Sequence, residues 1–177
     1  MGMATVSKHW TIDKVRALPD DRNRYEIIDG ELFVTPAPAV VHQRAVLQLA
    51  LRLVPYLKAQ GLGEPIIAPA DVEIAPDTMV EPDIFVIPPI AGALPRSWTD
   101  AERLLLVVEV LSPTSARADR VRKRALYARV RIPEYWIVDV DGRVVERWRP
   151  DPGRAGLTID LVEYFAEVTG ETLGATE

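Results

Sequence analysis

The chain has 177 residues, 48% of them hydrophobic and 27% charged, which suits a single folded domain over 1–177 with a core spanning about residues 20–165. The absence of cysteine excludes disulfides and thiolate metal sites and fits a reducing, cytoplasmic setting. No apolar run reaches the roughly 18 residues of a membrane span, no signal-peptide pattern opens the chain, and a net charge of −5 argues against a coat of non-specific nucleic-acid contacts.

Residues 1–24 are polar and contain a predicted short helix near Thr11–Ala17. Alternating runs on either side of Asp29-Gly30 then predict a hairpin. With that turn, Tyr25 faces Val34 and Ile27 faces Leu32 on an apolar face, while Glu26, Ile28, Glu31 and Phe33 form a mixed one. The apolar period changes at Val46, Leu49, Ala50, Leu53 and Leu57, which predicts an amphipathic helix from Val41 to Lys58, kinked or ended early by Pro55. His42 reads as a polar residue near that helix's start.

Strand-like pieces follow at Pro65–Ala68 and Val72–Ile74. After a turn at Pro76-Asp77 comes Asp83–Ile87, and residues 88–101, rich in proline, read as a loop. Leu104–Val110 is a continuous apolar run of the kind buried on both faces. Ser112–Ser115 breaks it and caps a helix that starts at Ala116 or Asp119 and ends near Arg129. Tyr135–Val140 and Arg143–Trp148 flank Asp141-Gly142 as a second hairpin, and Thr158–Phe165 predicts an edge strand. The order implies a mixed α/β fold, a central mixed sheet flanked by helices with an N-terminal hairpin.

Asp83 opens one apolar strand and Glu109 lies near the end of another. Antiparallel pairing brings the two carboxylates together, whereas parallel pairing separates them by about 16 Å at 3.3 Å per residue. The loop between the strands allows either. Carboxylates held close repel unless one is protonated or a cation sits between them, and oxygen-only ligands favour Mg²⁺ or Mn²⁺. Read alone, Glu109 also suits a strand-end residue that reaches water or an arginine.

Four lysines stand against seventeen arginines, so Lys123 inside Arg-Val-Arg-Lys-Arg calls for a compact ammonium. Helical spacing puts Asp119, Lys123, Leu126 and Val130 on one stripe, with Val121, Ala125 and Ala128 opposite. Lys123 then points inward, or pairs with Asp119 at i, i+4. Seven basic residues lie between Arg117 and Arg131, a strip that could hold phosphates or face solvent. The two histidines, His9 and His42, form no recognisable triad with a serine, and no glycine-rich phosphate loop or zinc pattern is present.

Pro82-Asp83 followed by Glu109-Val110-Leu111-Ser112 resembles the PD-(D/E)XK core of restriction-endonuclease-like enzymes, with Leu111 where the usual pattern has lysine. Five segments resemble the Uma-two family of endonucleases within that superfamily: Tyr25–Glu31, Pro82-Asp83, Val108–Pro113, Asp119 through Lys123 to Leu126-Tyr127, and Pro133–Asp139. They span about residues 20–150. The resemblance places the displaced lysine at Lys123. It implies that Asp83 and Glu109 hold Mg²⁺ or Mn²⁺, and that a metal-activated water hydrolyses a DNA phosphodiester bond with Lys123 assisting. It also makes Glu26 a candidate fourth site residue, with Glu31 as its substitute, although a hairpin position departs from the family layout and an exposed strand glutamate would explain Glu26. Cutting duplex DNA would suit a homodimer. The competing readings are a nuclease-fold module with little turnover that binds nucleic acid or a protein, and a hydrolase for another phosphate ester.

Overall fold

A computed structural model describes residues 9–95, 103–149 and 159–171. In chain order the elements are α1 (Ile12–Arg16), β1 (Arg24–Ile28), β2 (Glu31–Thr35), α2 (Val40–Gln60), β3 (Glu64–Ile67), β4 (Val72–Ala75), β5 (Thr78–Val80), β6 (Ile84–Ile87) and β7 (Leu106–Val110). A π-helical segment (Ala118–Lys123) follows, then α3 (Arg124–Arg129), β8 (Glu134–Asp139), β9 (Val144–Trp148) and α4 (Leu161–Thr169). They form two compact units, Met1–Ala37 with Asp71–Glu81, and Pro38–Ala70 with Pro82–Glu177. No helix among the described residues is long and apolar enough to cross a membrane.

The first unit is an antiparallel sheet in the order β2-β1-β5-β4. Its hairpin has the predicted register, Tyr25 opposite Val34 and Ile27 opposite Leu32. Asp29 and Gly30 both take positive φ, 51° and 77°, as the type I′ turn of a two-residue hairpin requires. Ile12, Val15, Ile27 and Met79 form a small core between α1 and the sheet. The sequence gives no sign of β5, which has only three residues and too short a run for periodicity, yet all three are buried. The Pro76-Asp77 turn leads into β5 from β4, with which it pairs.

The second unit holds a five-stranded sheet in the order β3-β6-β7-β8-β9. Only β7 and β8 run parallel, joined by the π-helical segment and α3, so the sheet is mixed as expected. Helix α2 buries Val46, Leu49, Leu53 and Leu57 against it. Pro55 does not end this helix early, since α2 continues to Gln60. The backbone carbonyl that Pro55 leaves without a donor belongs to Leu51, on the exposed side where water can reach it, while Leu53 and Leu57 anchor the turns around it. Beyond α2, Gly63 has φ 128°, and a Cβ there would lie 1.9 Å from the Ile87 carbonyl oxygen, so β3 can approach β6 only through glycine.

The predicted edge strand over 158–165 is a helix instead; Thr158 lies outside the described residues, and α4 occupies the stretch from Leu161. The Asp160 side chain accepts hydrogen bonds from the N–H groups of Val162 (2.9 Å) and Glu163 (3.1 Å), capping the first turn. Tyr164, Phe165 and Val168 then fall on one buried face, and the Tyr164 hydroxyl donates to the Ala45 carbonyl at 3.0 Å. The apolar residues here keep helical spacing, which outweighs the β-branched and aromatic content that suggested a strand.

Candidate metal centre

Strands β6 and β7 are antiparallel, with Ile84 opposite Val108, and one further step in that register sets Asp83 opposite Glu109. Directly opposed residues share a face with Cβ atoms about 4.5–5.5 Å apart, which removes the distant parallel alternative. Ala68 N–H donates to the Asp83 carbonyl at 3.2 Å, so the ladder with β3 extends to Asp83 and fixes its backbone. Both side chains are buried, with relative exposures of 2% for Asp83 and 1% for Glu109.

Even-numbered residues of β6 and β7 point towards α2 and α4, while Glu109 points the other way, towards the π-helical segment and α3. There Lys123 Nζ lies 2.9 Å from Glu109 Oε1 and 3.4 Å from Asp119 Oδ1, so the lysine points inward and also makes the i, i+4 pair that stood as the alternative. The stripe is placed as predicted, since Asp119, Lys123 and Leu126 are buried while Val121, Ala125 and Ala128 are exposed. Within Ala118–Lys123 the backbone is π-helical, and the Arg124 N–H donates to the Asp119 carbonyl five residues back. The Tyr135 hydroxyl donates to the same carbonyl at 3.0 Å, tying the wide turn to β8.

Two residues without a predicted role complete the arrangement. The Tyr127 hydroxyl donates to Glu109 Oε1 at 3.0 Å. It stands four residues after Lys123 on the same stripe, a spacing that could have revealed it. His42, expected as a polar helix-start residue, is buried, and its Nε2 lies 3.1 Å from Asp83 Oδ2, an oxygen that also accepts the Val110 N–H at 2.7 Å. Ser112 and Ser115 bond each other reciprocally, the Ser112 N–H to Ser115 Oγ and the Ser115 N–H to Ser112 Oγ, both at 3.1 Å, and so turn the chain from β7 into the helix.

Glu26 belongs to the first unit and is 2% exposed, so an exposed strand glutamate does not describe it. Its Oε1 accepts the Glu81 N–H at 2.8 Å, a structural task, whereas Glu31 is exposed. The basic strip divides: Lys123 turns inward, Arg120 reaches Asp139 and Glu146 at 2.9 Å each, and Arg124 stacks 4.2 Å above the Trp148 ring. Arg117, Arg122, Arg129 and Arg131 are exposed. The hydrogen bonds from Gly142 N–H and Arg120 hold the Asp139 carboxyl below its ordinary pKa.

The donor set fits a hard divalent cation. Lys123 lies between two buried carboxylates, Glu109 and Asp119, while Asp83, opposite Glu109 across the strand pair, is met by His42, so with both carboxylates ionised Lys123 does not balance the charge around it. Among the described residues no three His, Cys, Asp or Glu side chains converge as a ligand group. Two carboxylates completed by water and phosphate oxygens are the usual protein contribution to a Mg²⁺ site.

The Uma2 family model, described as "Putative restriction endonuclease", matches residues 12–174. A crystal structure of a protein described as a putative nuclease belonging to DUF820, from Anabaena variabilis ATCC 29413, superposes with a TM-score of 0.68. The match has 20% identity and covers 90% of this chain and 99% of that one. At that identity it shows the shared fold. The comparison with curated proteins returned no significant match. The family match spans the hairpin, the paired carboxylates and the lysine helix, and the chain belongs to the Uma2 family of restriction-endonuclease-like proteins.

Proposed function

We propose that this protein is a metal-dependent endonuclease that hydrolyses DNA phosphodiester bonds at Asp83, Glu109 and Lys123. The observation that carries the reading is a fully buried lysine 2.9 Å from a carboxylate whose opposite number across the strand pair is a second buried carboxylate. Burying three such groups is costly, and a site that must hold a cation and meet a phosphate gives that cost a purpose.

Asp83 and Glu109 would hold Mg²⁺ or Mn²⁺. A bound divalent ion supplies Lewis acidity and lowers the pKa of water at neutral pH. The protein's own groups do the rest. Lys123 fixes Glu109 and offers positive charge to the phosphoryl oxygens as negative charge grows on them. Tyr127 fixes Glu109 from a second direction. For Glu26 the family resemblance is the whole case for chemistry. Cutting both strands of a duplex would call on two copies of the chain.

Plasmid and single-stranded DNA, incubated with Mg²⁺ or Mn²⁺, test the reading. The wild type should cleave and Asp83→Ala should lose about two orders of magnitude or more of rate, as removal of a single electrostatic catalytic group does. Equal cleavage by both proteins would expose a contaminant. The alternative is a module of the same fold that binds nucleic acid without turnover. DNA binding without cleavage under any divalent ion would establish that alternative.

A further inference from the structure

We infer that His42 is a positioning residue for the cation site, holding the Asp83 carboxylate in its ligating orientation; this rests on the proposed metal-dependent reading. His42 lies in the first turn of α2, and its side chain is 8% exposed with Nε2 at 3.1 Å from Asp83 Oδ2. An ionised carboxylate only accepts hydrogen bonds, so Nε2 carries the hydrogen in this contact. With the Val110 N–H at 2.7 Å, the imidazole gives Oδ2 two donors from two separate elements, the first turn of α2 and the end of β7. Two donors on one oxygen restrict rotation of the carboxyl group about its bond to Cβ and so fix where the other oxygen points.

The second ring nitrogen argues against a purely structural role. His42 Nδ1 is buried and has no hydrogen-bond partner among the described residues. A core position needing only bulk would be better filled by leucine, which brings no orphan polar atom. The retained imidazole is explained by its Nε2 contact. Outer groups that orient metal ligands typically account for 10–100-fold in metal affinity.

Mn²⁺ binding, measured by calorimetry on the full chain without DNA, tests the assignment through His42→Leu and His42→Gln. The Gln side chain can place a donor near the Nε2 position; Leu cannot. The wild type should bind Mn²⁺ and Asp83→Asn should not. His42→Leu should bind at least tenfold more weakly while unfolding at the same temperature as wild type or higher, and His42→Gln should recover most of the affinity. Unchanged Mn²⁺ affinity in His42→Leu overturns the inference and leaves the metal-dependent reading standing. Equal weakening in Leu and Gln also overturns it, because the donor would then not matter. A wild type that takes no Mn²⁺ removes both.

Discussion

The two faces of the five-stranded sheet use the same strands for opposite purposes. Towards α2 and α4, Ile84, Val86, Val108, Val110 and Val138 pack on Leu49, Leu53, Tyr164 and Phe165 in a dry core. Towards the π-helical segment and α3, the intervening Glu109 meets Lys123 and Tyr127, and Asp119 lies buried beside them. Alternation along β7 puts Val108 and Val110 on one side and Glu109 on the other, so a single strand contributes hydrophobic stabilisation and buried charge. The first face is a source of stability. The second spends some of it, because desolvating an ion pair costs several kcal/mol per ion in order of magnitude and its attraction recovers that only with good geometry.

The largest effect expected from this contrast is on the charged face. Lys123→Met should lower unfolding free energy by about 3–5 kcal/mol, because it strands Glu109 and Asp119 in a dry site. Adding Glu109→Gln should restore a large part of that loss, as chemical denaturation would show; no recovery would mean that the face is held by packing rather than by charge balance. Leu53→Ala on the opposite face should cost about 3 kcal/mol through the cavity it leaves. Mn²⁺ affinity and DNA cleavage, measured well below the melting temperature, should be unchanged in that variant, and a weakened metal site there would erase the division between faces.

A smaller effect sits at the rim, where Asp139 accepts from Gly142 N–H at 2.8 Å and from Arg120 at 2.9 Å. Its carboxyl pKa is lowered by folding, so its contribution to stability is present above the unfolded carboxylate pKa near 3.9 and is lost as pH falls through the folded value. Asp139→Asn should therefore cost about 1 kcal/mol at pH 7. The gap from wild type should close on acidification; a gap constant from pH 7 to pH 3 would show that the side chain acts by shape rather than charge.

What the sequence reveals and what it hides follow from the range of the interactions. The Asp29-Gly30 hairpin, the α2 stripe and the inward set of Asp119, Lys123 and Leu126 are periodic local patterns, and each appears as read. Asp83 and Glu109 were visible as charges in apolar strands, but their opposition depended on strand direction, which no local pattern supplied. Strand β5 was too short to register, and without it the burial of Glu26 against the Glu81 N–H could not be seen. The α4 segment misled because its valines and aromatics favour strands, although Asp160 was an available N-cap signal. His42 meets Asp83 only because α2 packs across the sheet, a tertiary fact absent from either local sequence.

Crystals soaked in Mn²⁺ and recorded for anomalous scattering test whether Asp83 and Glu109 hold a divalent cation together. One strong peak is expected within coordinating distance, about 2.0–2.3 Å, of both the Asp83 and Glu109 carboxylates, with Lys123 still against Glu109. Loss of that peak in Glu109→Gln would follow. A well-ordered crystal with no density between the two carboxylates at saturating Mn²⁺, or a peak held by other residues, would contradict it.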